Sequence, residues 1–206
     1  MTIANYGELQ TQLNTYLFHQ RFVAQYDNAT LKFERVANRK LRVRPQQVSV
    51  PLTTVAGSVS LPADYILWRS VIYKGISPFI PLDYIHPTYL ETSQALFGLV
   101  RPKVFTIEGN ALKVRPVSDV ANIYEFHYFQ KLPTLITNDS NFNWLLTEFP
   151  DVYEYGVLVE LYKLARNKEQ AELYKAHRDE VFQEVREHYA GDVDPSSPLV
   201  RTADYY

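Results

Sequence analysis

KVFTIEGNALKVRP, residues 103–116, places two short runs rich in Val, Ile, Phe and Leu on either side of Gly109-Asn110. Gly-Asn readily supplies the positive φ that a tight two-residue loop requires, so the stretch reads as a β-hairpin. Just beyond it Tyr124, Phe126 and Tyr128 alternate with Ile123, Glu125 and His127. Successive strand side chains point to opposite faces, so this spacing predicts a strand with one wholly aromatic, buried face. Upstream, Val48, Val50, Leu52, Val55, Val59 and Leu61 are separated by small or β-branched residues, and prolines recur at 51, 62, 78, 81 and 87. Edge strands and turns tolerate such prolines, whereas helix interiors do not. The middle of the chain is therefore expected to be a small antiparallel sheet or sandwich over 46–132, interrupted by a short helix near Pro87–Ser93.

Helical patterns flank it. Asn5 followed by Glu8 reads as a capping box, after which Leu9, Leu13, Tyr16 and Leu17 recur at helical spacing toward His19. Phe22, Tyr26, Ala29, Phe33, Val36, Ala37 and Leu41 predict a second helix, capped by Asp27 or Asn28 and reaching about Arg42. After the sheet, Pro150 suits a first helical turn, and Val152, Tyr155, Val159 and Tyr162 form a stripe that Leu158, Leu161 and Ala165 widen. Asn167 can end that helix or cap the next, which carries Ala171, Tyr174, Val181, Phe182, Val185 and Tyr189 and stops at Gly191. In the stretch between sheet and helix, DSNFNWLLTEFP (139–150), Trp144 is expected to plug the core at a helix entry.

The expected fold class is thus α+β: a bundle of N- and C-terminal helices (1–45 and 133–190), interrupted by a β-rich antiparallel insertion (46–132). An extended C-terminal arm (191–206) follows. That arm lacks periodicity yet contains Leu199, Val200, Arg201, Tyr205 and Tyr206, apolar side chains and one cation suited to anchoring on a partner.

Composition narrows function. With 206 residues and 46% hydrophobic side chains, the chain can bury one substantial core. It has no cysteine, which removes thiolate nucleophiles and metal-thiolate sites. No stretch approaches the roughly 18 apolar residues of a membrane helix, and the N-terminus lacks a signal-peptide pattern, so no membrane partner is expected and the protein is expected to be made and assembled in the cytosol. The seven glycines are unclustered, so no P-loop or dinucleotide fingerprint is present, and there is no G-x-S-x-G. Sixteen tyrosines point instead toward interfaces, because tyrosine offers contact area at low rotamer cost.

Charge is uneven along the chain. Residues 1–50 carry seven Lys/Arg against three acids, and residues 145–194 carry six against twelve. Opposed ends suit head-to-tail contact between subunits, and two solvated helix faces would look the same. The basic run Arg35, Arg39, Lys40, Arg42, Arg44 could contact phosphates, though it lacks helix-turn-helix chemistry. His177, Glu180, Glu184 and His188 share a helical stripe that could hold a metal for a hydrolase; the spacing matches no recognised ligand motif, and an exposed polar face accounts for it far better. No catalytic residue, metal ligand or cofactor site is assigned, and the chain is read as a structural protein rather than an enzyme.

The succession SLPADYILWRSVIYKG (60–75), PLDYI (81–85), KVFTIEGNALKVRP (103–116), IYEFHYFQKLPTL (123–135) and NFNWLLTEFPDVYEYGVLVELYKLARN (141–167) resembles the head-to-tail adaptors of short-tailed phages with prolate heads. The resemblance implies a dodecameric ring in the virion neck. That ring docks on the portal protein, carries the tail nozzle or tube, and lets double-stranded DNA pass without sequence specificity. It implies no catalytic residues and no cofactor. DNA-binding packaging factor and metal-dependent hydrolase are the competing readings.

Overall fold

The computed structural model describes residues 3–16, 24–90, 101–117 and 121–190. They fall into two compact units, one from the described residues up to Pro45 together with those from Leu132 onward, the other Gln46–Lys131. The chain is mixed α+β, with helices toward both ends and strands between. The expected C-terminal arm, like the expected end of the last helix at Gly191, lies outside the described residues.

The helical unit contains α1 (Tyr6–Tyr16), α2 (Tyr26–Lys40), α3 (Trp144–Glu148), α4 (Pro150–Leu164) and α5 (Lys168–Ala190). At α1 the Asn5 Oδ1 accepts the Glu8 N–H at 3.0 Å, while the Glu8 carboxylate accepts the Ala4 N–H at 2.8 Å. This is the expected capping box with its return bond moved one residue back. The first helix is described only to Tyr16, so its expected run to His19 lies outside, as does Phe22. The expected cap of α2 is not used. Gln25 sits at the N-cap without a side-chain bond, and Asp27 instead accepts the Tyr6 hydroxyl at 2.7 Å, tying α2 to α1. The helix ends at Lys40, two residues short of the expectation, because Leu41 turns to an extended backbone.

Helix α4 lies at the centre of this unit, packed by α1, α2, α3 and α5. Val152, Tyr153, Gly156, Val157, Leu158, Val159 and Leu161 are buried, so burial extends almost around the helix. A helix apolar on all sides is a core helix. The expected stripe was therefore too narrow: Tyr155 and Tyr162 are half-buried, Tyr153 and Val157 are fully buried, and Ala165 is exposed because it is the C-cap residue. Trp144 is likewise only half-buried at the entry of α3, where Leu145 and Leu146 fill the core instead. Asn167 caps α5, its Oδ1 accepting the Gln170 N–H at 3.2 Å.

A buried polar network fixes the return of the chain into this unit. Asn143 Oδ1 accepts the Leu146 N–H at 3.0 Å and caps α3, while its Nδ2 donates to Pro133 O at 2.9 Å and to the Tyr153 hydroxyl at 2.6 Å. Glu34, only 4% exposed on α2, accepts the Leu135 N–H at 2.9 Å, and the Asn38 side chain accepts the Leu132 N–H at 2.8 Å. Burial raises the Glu34 carboxyl above its ordinary value despite the Leu135 and Thr134 hydrogen bonds. Burial also pushes the Tyr153 hydroxyl well up, and the nearby Glu34 charge adds to this.

The β unit contains β1 (Gln47–Thr54), β2 (Ser58–Ser60), β3 (Tyr65–Tyr73), β4 (Ile80–Pro81), β5 (Asp83–Tyr84), β6 (Val104–Glu108), β7 (Ala111–Arg115) and β8 (Asn122–Gln130). They form two sheets, ordered β1-β8-β3-β4 and β2-β7-β6-β5. The β6–β7 hairpin is as expected, with Gly109 at φ 58°. The aromatic strand is β8, whose Tyr124, Phe126 and Tyr128 are buried while Ile123 is exposed. Pro51 lies in β1, an edge strand, where a missing N–H costs no ladder bond. Val55, expected in a strand, is 73% exposed because it opens a tight turn. That turn carries Ala56 at φ 51° and Gly57 at φ 71°, the backbone of a type I′ turn.

The two sheets run into each other at Leu82, whose N–H donates to Val71 O at 2.8 Å while the Asp83 N–H donates to Lys103 O at 3.0 Å. With the β1–β2 turn joining the opposite corner, the strands wrap into a small barrel around Leu61, Val71, Tyr73, Leu82, Phe105, Leu112, Val114 and the β8 aromatics. The insertion is antiparallel as expected except for one short pairing, β5 with β6, which is parallel. The expected helix near Pro87–Ser93 is present over 87–90, and residues 91–93 lie outside the described residues.

Candidate partner interface

The five arm residues assigned to partner binding, Leu199, Val200, Arg201, Tyr205 and Tyr206, all lie outside the described residues. The remaining candidates sit on the helical unit.

His177, Glu180, Glu184 and His188 do share one side of α5, but they do not converge. His177 Nδ1 lies 3.5 Å from Glu180, its ring packs 5.5 Å from Tyr155, and Glu184 projects from an exposed position. His188 turns away to pack edge-on against Phe149 at 5.6 Å and Tyr189 at 4.8 Å. Among the described residues no three His, Asp or Glu side chains are grouped to hold a metal ion. Helical spacing brought these residues to one stripe, and aromatic packing then separated them.

The charged helices, expected as opposed ends, belong to one unit and partly neutralise each other. Lys40 Nζ lies 2.8 Å from Asp179, which also takes two hydrogen bonds from Arg178 at 3.1 and 2.8 Å. Burial acts to raise the Asp179 carboxyl, but the Lys40 and Arg178 contacts outweigh it and hold the group below its ordinary value. Arg178 itself is 4% exposed and lies over the Phe182 ring, so part of the α5 charge is core structure. Arg42 folds back onto the carbonyls of Asn38 and Leu41, and burial lowers its pKa. Of the basic run, Arg35 and Arg39 remain on the open face of α2.

A shallow cleft of about 730 Å³ is lined by Arg44, Pro45, Glu148, Phe149, His188 and Tyr189. The Tyr189 hydroxyl donates to Glu148, and Trp144 meets the Tyr189 ring edge-on at 6.0 Å. Its lining comes from three distant segments, so no local spacing in the sequence marks it. Another aromatic ladder runs along α4 and α5, where Tyr162 stacks on Tyr174 at 5.4 Å and Tyr155 lies 6.1 Å from Tyr174. These half-buried rings answer to the tyrosine excess. They pack helices together while keeping one edge at the surface, as tyrosine's apolar body and polar tip allow.

Among the described residues no helix is long and apolar enough to cross a membrane. No curated protein sequence matches the chain. The family described as SU10 adaptor protein matches residues 4–202, nearly the whole length, and so spans both the helical unit and the β-rich insertion. Such a family implies a structural, virion-associated role among phage head and tail proteins. With that match covering the same helix, strand, helix succession described above, the chain belongs to the SU10 adaptor family of phage head-to-tail adaptors.

Proposed function

We propose that this protein forms a ring in the virion neck that joins the portal protein to the tail nozzle or tube and lines the conduit for double-stranded DNA. The family match over residues 4–202 carries this reading. The helical unit supports it, because its chemistry lies in packing and surface charge, with the one histidine–glutamate stripe dispersed by aromatic contacts. Twelve-fold assembly, passage of DNA without base readout, and assembly in the host cytoplasm before incorporation are parts of the same proposal. So is the division into N-terminal helices 1–45, insertion 46–132, C-terminal helices 133–190 and arm 191–206.

Within it, Leu199, Val200, Arg201, Tyr205 and Tyr206 contact the portal. A chain truncated after Asp194 should keep its fold and bind portal more weakly. The test of the whole reading is the native mass of the protein mixed with purified portal protein from the same phage. A discrete complex with many copies per portal ring is expected. A protein that stays alone at every concentration tried contradicts the proposal.

A further inference from the structure

Once the internally paired charges are set aside, two complementary helix faces remain. On α2, Lys32, Arg35 and Arg39 follow one another at steps of three and four, and none makes an ion pair among the described residues. On α5, Glu180, Glu184 and Glu187 recur at steps of four and three on a single exposed stripe, with none paired to a Lys or Arg among the described residues. Gln183 lies within that stripe, donating to Glu187 at 2.8 Å, and the 49% exposed Leu173 continues it toward the helix start. Each charged triplet spans seven residue steps, roughly 10.5 Å of helix at the ordinary rise. Laid side by side, three cations can therefore meet three carboxylates whether the helices run parallel or antiparallel.

We infer that the Lys32/Arg35/Arg39 face of α2 docks on the Glu180/Glu184/Glu187 face of α5 in a second copy of this chain. The inference rests on the ring reading above and names the surfaces that join its subunits. It is distinct from the intramolecular Lys40–Asp179 contact, which already ties α2 to α5 of the same copy and leaves these outward charges unused. A heterologous contact of this kind generates a closed ring when the rotation closes. The alternative occupant of the basic face is DNA. Three cations release few counterions, and the acidic stripe on the same unit repels a phosphate backbone, so the second copy is the better complement.

Charge reversal tests this on the full chain. One variant carries Lys32→Glu, Arg35→Glu and Arg39→Glu, and the other carries Glu180→Lys, Glu184→Lys and Glu187→Lys. Five of the six positions are exposed and Lys32 is half-buried, so circular dichroism should match the parent and melting should change little. Each variant alone should lose assembly, alone and on purified portal, by at least about a hundredfold in concentration, because like charges then face each other across the contact. An equimolar mixture should regain it, since alternating copies bring two reversed faces together at one junction and two native faces at the next, opposite charges meeting at both. Because the chain has no cysteine, mixing Arg35→Cys with Glu184→Cys copies offers a second readout. A disulfide between copies, absent for either alone, is expected.

If the parent assembles and both variants assemble equally well, the docking assignment is wrong while the ring reading stands. Variants that fail alone and stay unassembled when mixed also overturn it, as does loss of duplex DNA binding with unchanged self-association. If the parent itself never self-associates, with or without portal, both readings fall together.

Discussion

Replacing Gly156 by alanine should destabilise the helical unit although alanine is the better helix former. Gly156 lies in the middle of α4, and a Cβ built there would stand 2.0 Å from Phe33 Cδ2, 2.2 Å from Cε2 and 2.7 Å from Cγ. Ordinary contact needs about 3.4–4 Å, so the ring would have to retreat by well over an ångström. It has nowhere to go. Phe33 is fully buried, meets Tyr153 edge-on at 4.8 Å and stacks on Phe182 at 6.2 Å. Helix propensity favours the alanine by about 1 kcal/mol. Overpacking a rigid core costs about 1–3 kcal/mol, and a clash this close belongs at the upper end. The net loss should be roughly 2 kcal/mol, or about 1 M in the urea midpoint for a slope near 2 kcal/mol/M. Each unit holds one tryptophan, Trp144 in the helical unit and Trp68 in the β unit, so Trp144 fluorescence in a Trp68→Phe background reports the helical unit alone. Phe33→Leu should relieve part of the alanine penalty, giving non-additive energies in a double-mutant cycle. If Gly156→Ala proved more stable than the parent by about 1 kcal/mol, the close α2–α4 crossing would be refuted and propensity alone would govern the site.

Asn143→Ala removes the α3 cap and leaves the Leu146 N–H and Pro133 carbonyl unpaired in the core, and it should cost roughly 2–3 kcal/mol in the same Trp144 assay. Glu34 has a raised carboxyl in the folded state, so the stability linked to it is complete below the ordinary carboxylate value and is lost as pH rises through its raised value. Glu34→Gln, which can still accept the Leu135 N–H, should equal or exceed the parent at neutral pH, with the advantage shrinking on acidification in parallel urea titrations. In the β unit, Ala56→Asn would give the I′ turn its preferred Asn-Gly pair at a residue already at φ 51°, raising stability by roughly 0.5–1 kcal/mol, followed through Trp68 fluorescence in a Trp144→Phe background.

What could be read from the sequence was whatever local chemistry decides. The Gly109-Asn110 hairpin, the aromatic face of β8, the Asn5–Glu8 capping box and Pro150 at the start of α4 all depend on residues within a few positions of each other. Features set by packing partners were less legible. Periodicity assigned α4 a one-sided face, but a helix surrounded by α1, α2, α3 and α5 buries Tyr153 and Val157 as well. Asp27 fits a cap by type, yet the Tyr6 hydroxyl from another helix claims its carboxylate. The parallel β5–β6 pairing could not be read from alternation, which is blind to strand direction. Charge counting saw two opposed segments but could not see that Lys40 and Asp179 meet within one unit, a contact 139 residues apart in sequence. The residues left over after such internal pairing are the informative ones, and only the folded chain identifies them.

In the proposed function this protein stands between portal and tail. An electron-microscopic reconstruction of the intact virion neck tests it most directly. Density for the α2, α4 and α5 helices is expected in every copy of a ring seated against the portal, with neighbouring copies meeting through the Lys32/Arg35/Arg39 and Glu180/Glu184/Glu187 faces. A neck in which portal and tail proteins touch directly, with this chain absent or bound elsewhere on the particle, would contradict it.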